Sequence, residues 1–155
     1  MADDSQVRPV FQIQRIYVKD LSFEAPNTPK TFREPWKPEV KVDIDTKNEA
    51  VENDIHEVVL KVTVSVSLGD SKAFIVEAHQ AGLFTLKDFP EDARDHALGS
   101  MCPNILYPYA RETVSDAVSR GGFPQLLLAP VNFEALYMQK KGAQRAKKDA
   151  EKAGK

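Results

Sequence analysis

The first half of the chain alternates apolar and polar residues. The second half repeats its apolar residues every three or four positions. The clearest alternation is HEVVLKVTVSVSL, residues 56–68. Val58, Leu60, Val62, Val64, Val66 and Leu68 fall on one side, and Glu57, Lys61, Thr63, Ser65 and Ser67 on the other. Period two is the signature of a strand with two different faces. PEVKVDIDTK sets Val40, Val42 and Ile44 against Lys41, Asp43 and Asp45. A turn at GDSK leads into AFIVEAHQAGLFTL, and Leu68–Lys72 is short enough for a hairpin. The earliest strand, within VRPVFQIQRIYVKDLSFEA, places Phe11, Ile13, Tyr17, Leu21 and Phe23 on one parity; Ile16 and Val18 break it, which predicts a bulge or burial on both sides. TKNEAVEND reads as a polar connection between the second and third strands. The pattern predicts four strands in order, an antiparallel meander.

The period then changes. CPNILYPYARETVSDAVSRGG places Leu106, Ala110, Val114 and Val118 four residues apart, and Ile105, Tyr109 and Ala117 widen the stripe. Arg120 suits the negative end of a helix dipole and Gly121 a C-terminal cap. Pro108 predicts either a helix start near it or a kink. PVNFEALYMQKK opens a second helix with Asn132 as candidate N-cap. Between the helices lies GGFPQLLLAPVNF. Its breakers mark a loop, yet it carries Leu126, Leu127 and Leu128, either as a cap over the core or as an exposed apolar surface. Four strands and two helices make a small α+β domain with helices on one sheet face. Its apolar surface exceeds what a single protomer hides, which predicts oligomerisation.

The composition suits one globular domain: 155 residues, 42% hydrophobic, 28% charged. No apolar stretch approaches the roughly 20 residues of a membrane span. The acidic start MADDSQVRPV argues against a secretory signal. A lone Cys102 fits a reducing compartment, so the cytoplasm is the expected location. Charge is uneven. Residues 139–155 hold seven of the 21 basic residues and two of the 23 acidic ones, a net +5, leaving −7 on the rest. Such a tail is either a solvated, frayed helix end or an electrostatic contact.

The chemistry is sparse. Cys102 lies six residues after His96, a spacing that establishes no nucleophile pair and reads better as a buried structural thiol. His56, His79 and His96 show no metal-ligand spacing, and no phosphate-loop, dinucleotide or nucleophile-elbow motif occurs. No catalytic residue, cofactor or metal is predicted. Asp20 and Glu24 share parity on the first strand, as do Ile75 and Glu77 on the fourth. They form one patch only if those strands are neighbours in register; otherwise they are ordinary polar surface.

The segments FQIQRIYVKDLSFEAPN, SLGDSKAFIVEAHQAGLF and CPNILYPYARETVSDAVSRGGFPQLLLAPVNFEALY resemble the SecB family of bacterial protein-export chaperones, over about residues 9–138. The resemblance implies a four-stranded antiparallel sheet with helices packed on one face, assembled as a homotetramer, a dimer of dimers. It implies a cytosolic, ATP-independent holdase that binds unfolded precursor proteins and delivers them to SecA. The loop at 121–130 then helps to wall a client groove built from Leu126, Leu127, Leu128, Val131, Phe133, Leu136, Tyr137 and Met138, with Tyr109 nearby. Asp20, Glu24, Ile75 and Glu77 match the family's surface for the basic, zinc-containing tail of SecA, Ile75 replacing a leucine. The stripe Leu106, Ala110, Val114 and Val118 is assigned to the interface between dimers. Residues 1–8 are expected to be a flexible N-terminus, and 139–155 the end of the second helix followed by disorder. The +5 tail departs from the glutamine-rich or acidic tails of the family. Two other readings stay open: a SecB-like chaperone serving a toxin–antitoxin system, and a nucleic-acid-binding module using the basic tail. The second is disfavoured by the acidic body and by the lack of aromatics in the tail.

Overall fold

The computed structural model describes residues 7–154, so most of the expected flexible start lies outside the described residues. Four strands, β1 (Val10–Glu24), β2 (Glu39–Glu52), β3 (Ile55–Leu68) and β4 (Ser71–Lys87), form one antiparallel sheet in the order β1-β4-β3-β2. Thus β2, β3 and β4 make a meander, but β1 crosses to the far side of β4 and does not pair with β2. The reason is in the connection. Residues 25–38 contain Pro26, Pro29, Pro35 and Pro38 and a short 3₁₀ turn, Lys30–Arg33, and so cannot close a tight hairpin.

The predicted connection TKNEAVEND is mostly strand. β2 runs to Glu52, and the turn is only Asn53-Asp54, with Asp54 at φ 63°. Aspartate tolerates this left-handed conformation, which suits a two-residue hairpin. Gly69, at φ 60°, does the same between β3 and β4.

β1 has two register shifts, between Ile13 and Arg15 and between Val18 and Asp20. They resolve the broken parity. Ile16 and Val18 lie opposite Gly82 and Gln80 on the helix side, with Phe11 and Phe23, whereas Tyr17 moves to the outer face opposite Ala81. There the Tyr17 hydroxyl donates to Glu57, which also pairs with Lys19 at 2.6 Å. Burial, then the bond to Glu57, pushes the Tyr17 phenol up to about 12.

After β4 the chain forms α1 (Glu91–His96), a π-helical turn (Ala97–Met101) and α2 (Cys102–Arg120) without a break. Pro108 sits inside α2, not at its start. α2 crosses the sheet over β3 and β4. Gly82 permits the approach, because a Cβ there would lie 2.7 Å from the Phe84 ring and 3.1 Å from Leu106. Leu106, Ala110, Val114 and Val118 are each 0% exposed within one protomer, packed with Val58, Leu60, Val62, Val64 and Phe84. Their assignment to a dimer–dimer interface is therefore corrected. A face already covered by its own sheet is not available to another copy. The buried Gln80 amide is satisfied, donating to the Tyr17 carbonyl at 3.2 Å and accepting from Thr113 at 3.1 Å.

α3 (Phe133–Ala153) begins at Asn132, whose side chain accepts from the Ala135 N–H at 3.0 Å. It continues through the basic segment to Ala153, where an irregular tail was expected. Alanine, lysine, glutamine and arginine dominate residues 139–153, and all are strong helix formers. No described helix is long and apolar enough to cross a membrane.

Candidate functional site

The sheet has two unlike faces, and each offers one surface. On the outer face, the crossover of β1 brings together the acidic residues singled out in the sequence. Glu24 pairs with Ile75, Ser22 with Glu77, and Asp20 with His79. The next strand adds Ser65, Thr63 and Lys61 beside them. Asp20 and Glu24 are exposed, and Ile75 is half-buried between neighbours. Glu77 is less free than its charge suggests. It lies 3.1 Å from His79 Nε2, accepts from Thr63 Oγ1 at 3.2 Å and faces Lys61 Nζ at 3.5 Å. The bond to His79, followed by the Lys61 charge, holds its carboxyl below the usual range.

On the helix side, a groove of about 580 Å³ opens between β2 and α3. Its apolar floor is Ile44, Phe133, Leu136 and Tyr137, and Thr46 and Asn48 continue along β2. β2 is the sheet's edge strand, so one wall of the groove carries backbone groups that a further strand can pair. Tyr137 packs over Gly99, where any Cβ would collide with its ring. Beneath it, Glu134 accepts from Ser100 Oγ at 2.7 Å and lies 2.6 Å from His96 Nε2, fastening α3 to the segment after β4. His96 thus partners Glu134. Cys102 is fully buried, and burial raises its thiol to about 12, which suits an inert core residue.

The nine residues expected in the client groove separate. Phe133, Leu136 and Tyr137 line it. Leu128 and Phe133 belong to the core, with Phe133 stacked edge-on to Tyr107, whose hydroxyl donates to the Ala129 carbonyl. Leu126 and Val131 are half-buried against that core. Tyr109, Leu127 and Met138 are exposed elsewhere, Leu127 at 72%.

A third feature escaped the sequence reading. Phe23 stacks on Phe74, Phe123 packs tilted against both, and Phe32 and Trp36 lean on Phe123 at centroid distances of 5.1 and 5.9 Å. Phe32 is 51% exposed and Trp36 38%, so the cluster opens to solvent. Two large aromatics within the proline-rich connection 25–38 were the available signal. Among the described residues, no group of three His, Cys, Asp or Glu side chains could hold a metal ion.

The sheet thus leaves apolar surface open on one face and an acidic patch on the other. The family model described as preprotein translocase subunit SecB matches residues 4–144, and the chain belongs to this family. The fold is similar to that of a SecB-like chaperone from Mycobacterium tuberculosis, solved in complex with a ChAD peptide from an antitoxin. The TM-score is 0.64 at 20% identity, covering 78% of this chain and 90% of that one. A protein of unknown function from Streptococcus agalactiae is aligned over 80% of this chain and 100% of its own, but at TM-score 0.40 and 10% identity, too low to indicate a shared fold.

Proposed function

We propose that this protein is an ATP-independent holdase that captures non-native precursor proteins and passes them to SecA. The observation that carries the reading is the open apolar groove beside the unpaired edge of β2. A holdase needs contacts that accept many sequences. Apolar floor residues provide them at about 25 cal/mol per Å² of buried apolar area, and an extended client adds backbone pairing along the strand edge. The solvent-facing Phe32–Trp36 cluster supplies a second apolar contact for the same client. Asp20, Glu24, Ile75 and Glu77 lie on the opposite sheet face, so a basic segment of SecA can dock while the client is held.

The assembly belongs to the same proposal. β1 is the other edge strand, and Ile13, Val18 and Leu21 are exposed along its helix side. Pairing of two β1 edges would join two sheets and cover this row. The outward face of α2 with the turn before it, where Tyr109 and Met101 are exposed, then serves as the contact between dimers in place of the buried stripe. Light scattering is expected to give about four times 17.3 kDa, and a monomer at micromolar concentration would refute this part.

The direct test is suppression of aggregation of an unfolded precursor without nucleotide, for wild type and Leu136→Ser. Leu136 is partly exposed, so the change leaves the fold intact. The wild type should suppress aggregation and the variant should do so weakly. Equal suppression by both would remove the groove from the mechanism. A second reading is favoured by one observation: the M. tuberculosis SecB-like protein holds an antitoxin peptide. In that case the client is an antitoxin, and SecA should fail to bind the acidic patch.

A further inference from the structure

We infer that the groove selects clients in which an apolar segment is followed, on the α3 side, by a run of acidic residues. This rests on the holdase reading and specifies its client class. The motivating feature is a ridge of four cations. Lys141, Arg145, Lys148 and Lys152 are spaced by four, three and four residues, which places them on one face of α3. All four are exposed, and among the described residues none is in an ion pair. The ridge starts at the groove itself. Lys141 lines the groove, and its Nζ stands 5.9 Å from the centre of the Tyr137 ring. An extended chain leaving the apolar floor along α3 therefore meets this charge next. The ridge spans eleven helical steps, about 16 Å at 1.5 Å per residue. About five residues of extended client cover that length.

The groove is also polarised. Asp45, Asp92 and Asp95 line the side formed by β2 and α1. Acidic client residues are repelled there and attracted along α3, so the charge sets the direction in which the client lies. Other polyanions fit less well. The face of α3 opposite the ridge carries Gln139, Ala143, Ala146 and Ala150 and lacks the large apolar residues of a helix that embeds in a bilayer surface. No aromatic follows Tyr137 in α3 to stack on bases, and the three aspartates repel phosphates.

The test uses the full chain and synthetic peptides sharing one apolar core of nine residues, flanked at either end in turn by five Glu, five Gln or five Lys. Affinities are read by fluorescence anisotropy for wild type and for Arg145→Gln/Lys148→Gln/Lys152→Gln, with Lys148→Glu as a second variant. Glutamine preserves helix propensity. At low salt the better Glu-flanked peptide should bind wild type about five- to ten-fold more tightly than its Gln-flanked counterpart, as three exposed ion pairs allow. The advantage should fall within about two-fold at high salt, because the screening length shrinks to about 3 Å at 1 M. It should also vanish in the triple variant and shrink in Lys148→Glu, with Gln-flanked binding unchanged. Equal binding of Glu- and Gln-flanked peptides by wild type would overturn the charge selection while leaving the holdase reading standing. Persistence of the advantage in the triple variant would overturn it too. No binding of the Gln-flanked peptide would remove the holdase reading and this inference with it. An oligouridylate that binds wild type more tightly than the Glu-flanked peptide, and loses that affinity in the triple variant, would reassign the ridge to nucleic acid.

Discussion

Two apolar runs lie eight residues apart and meet opposite fates. On α2, Leu106, Ala110, Val114 and Val118 all disappear beneath the sheet. In the loop that follows, Leu126 is half-buried, Leu127 is 72% exposed and Leu128 is 6% exposed. A helix repeats one face, so spacing by four directs every member of a stripe to the same surroundings. An extended loop turns its side chains alternately, so three adjacent leucines cannot share one environment. Apolar character alone thus says little about availability to a partner; the local backbone period decides it.

The largest expected effect comes from Val114→Asp. Val114 is fully buried against the sheet within the apolar core cluster. Burying an unpaired charge costs several kcal/mol, against a total stability of about 5–15 kcal/mol for a domain. The variant should lose its folded circular dichroism spectrum altogether. A folded dimer or monomer lacking only the dimer–dimer contact would mean that the stripe is an interface after all.

Leu128→Ser and Leu127→Ser sharpen the contrast within the loop itself. Leu128 belongs to the core cluster that includes Phe133 and Tyr107. Its replacement should lower stability by about 2–4 kcal/mol, through lost burial and a residual cavity. Leu127→Ser should change stability by less than about 0.5 kcal/mol. Urea midpoints measure both. A triple Leu126, Leu127, Leu128→Ser change would mix core and surface effects, so the single changes are the informative ones. If Leu127→Ser also weakens capture of an unfolded precursor, the exposed loop extends the client surface beyond the groove.

The sequence made the strands legible because each has one wet face. The β3 alternation maps onto the burial pattern without error, and the irregular parity of β1 coincides with two register shifts. Strand order was not legible, since the four prolines of residues 25–38 exclude a tight hairpin but do not say which strand β1 then pairs with. The groove was half legible. Phe133, Leu136 and Tyr137 were named, but Ile44, Thr46 and Asn48 join them only because β2 extends through a segment whose polar letters suggest a connection. The aromatic cluster draws on β1, the 25–38 connection, β4 and the loop after α2, so it exists only once the chain is folded.

The test that separates the two sheet faces is Glu77→Lys, which acts on partner choice far more than on the fold. Glu77 lies on the outer face, and the groove lies on the helix side of β2. The wild-type carboxylate is held by His79, Lys61 and Thr63. Reversal places a lysine beside Lys61, and the half-exposed position limits the loss of stability to about 1 kcal/mol. Attraction of the patch for a basic partner should fall more, because one favourable charge becomes repulsive while Asp20 and Glu24 remain. Calorimetry of SecA against wild type and variant should show an affinity loss of about ten-fold at low salt. The wild-type affinity itself should decline as salt rises, since exposed charges are screened over about 8–10 Å at physiological ionic strength. Capture of unfolded precursor by the same variant should stay within two-fold of wild type. Parallel loss of both affinities, with an unchanged urea midpoint, would mean that client and SecA compete for one surface and that the sheet does not keep them apart.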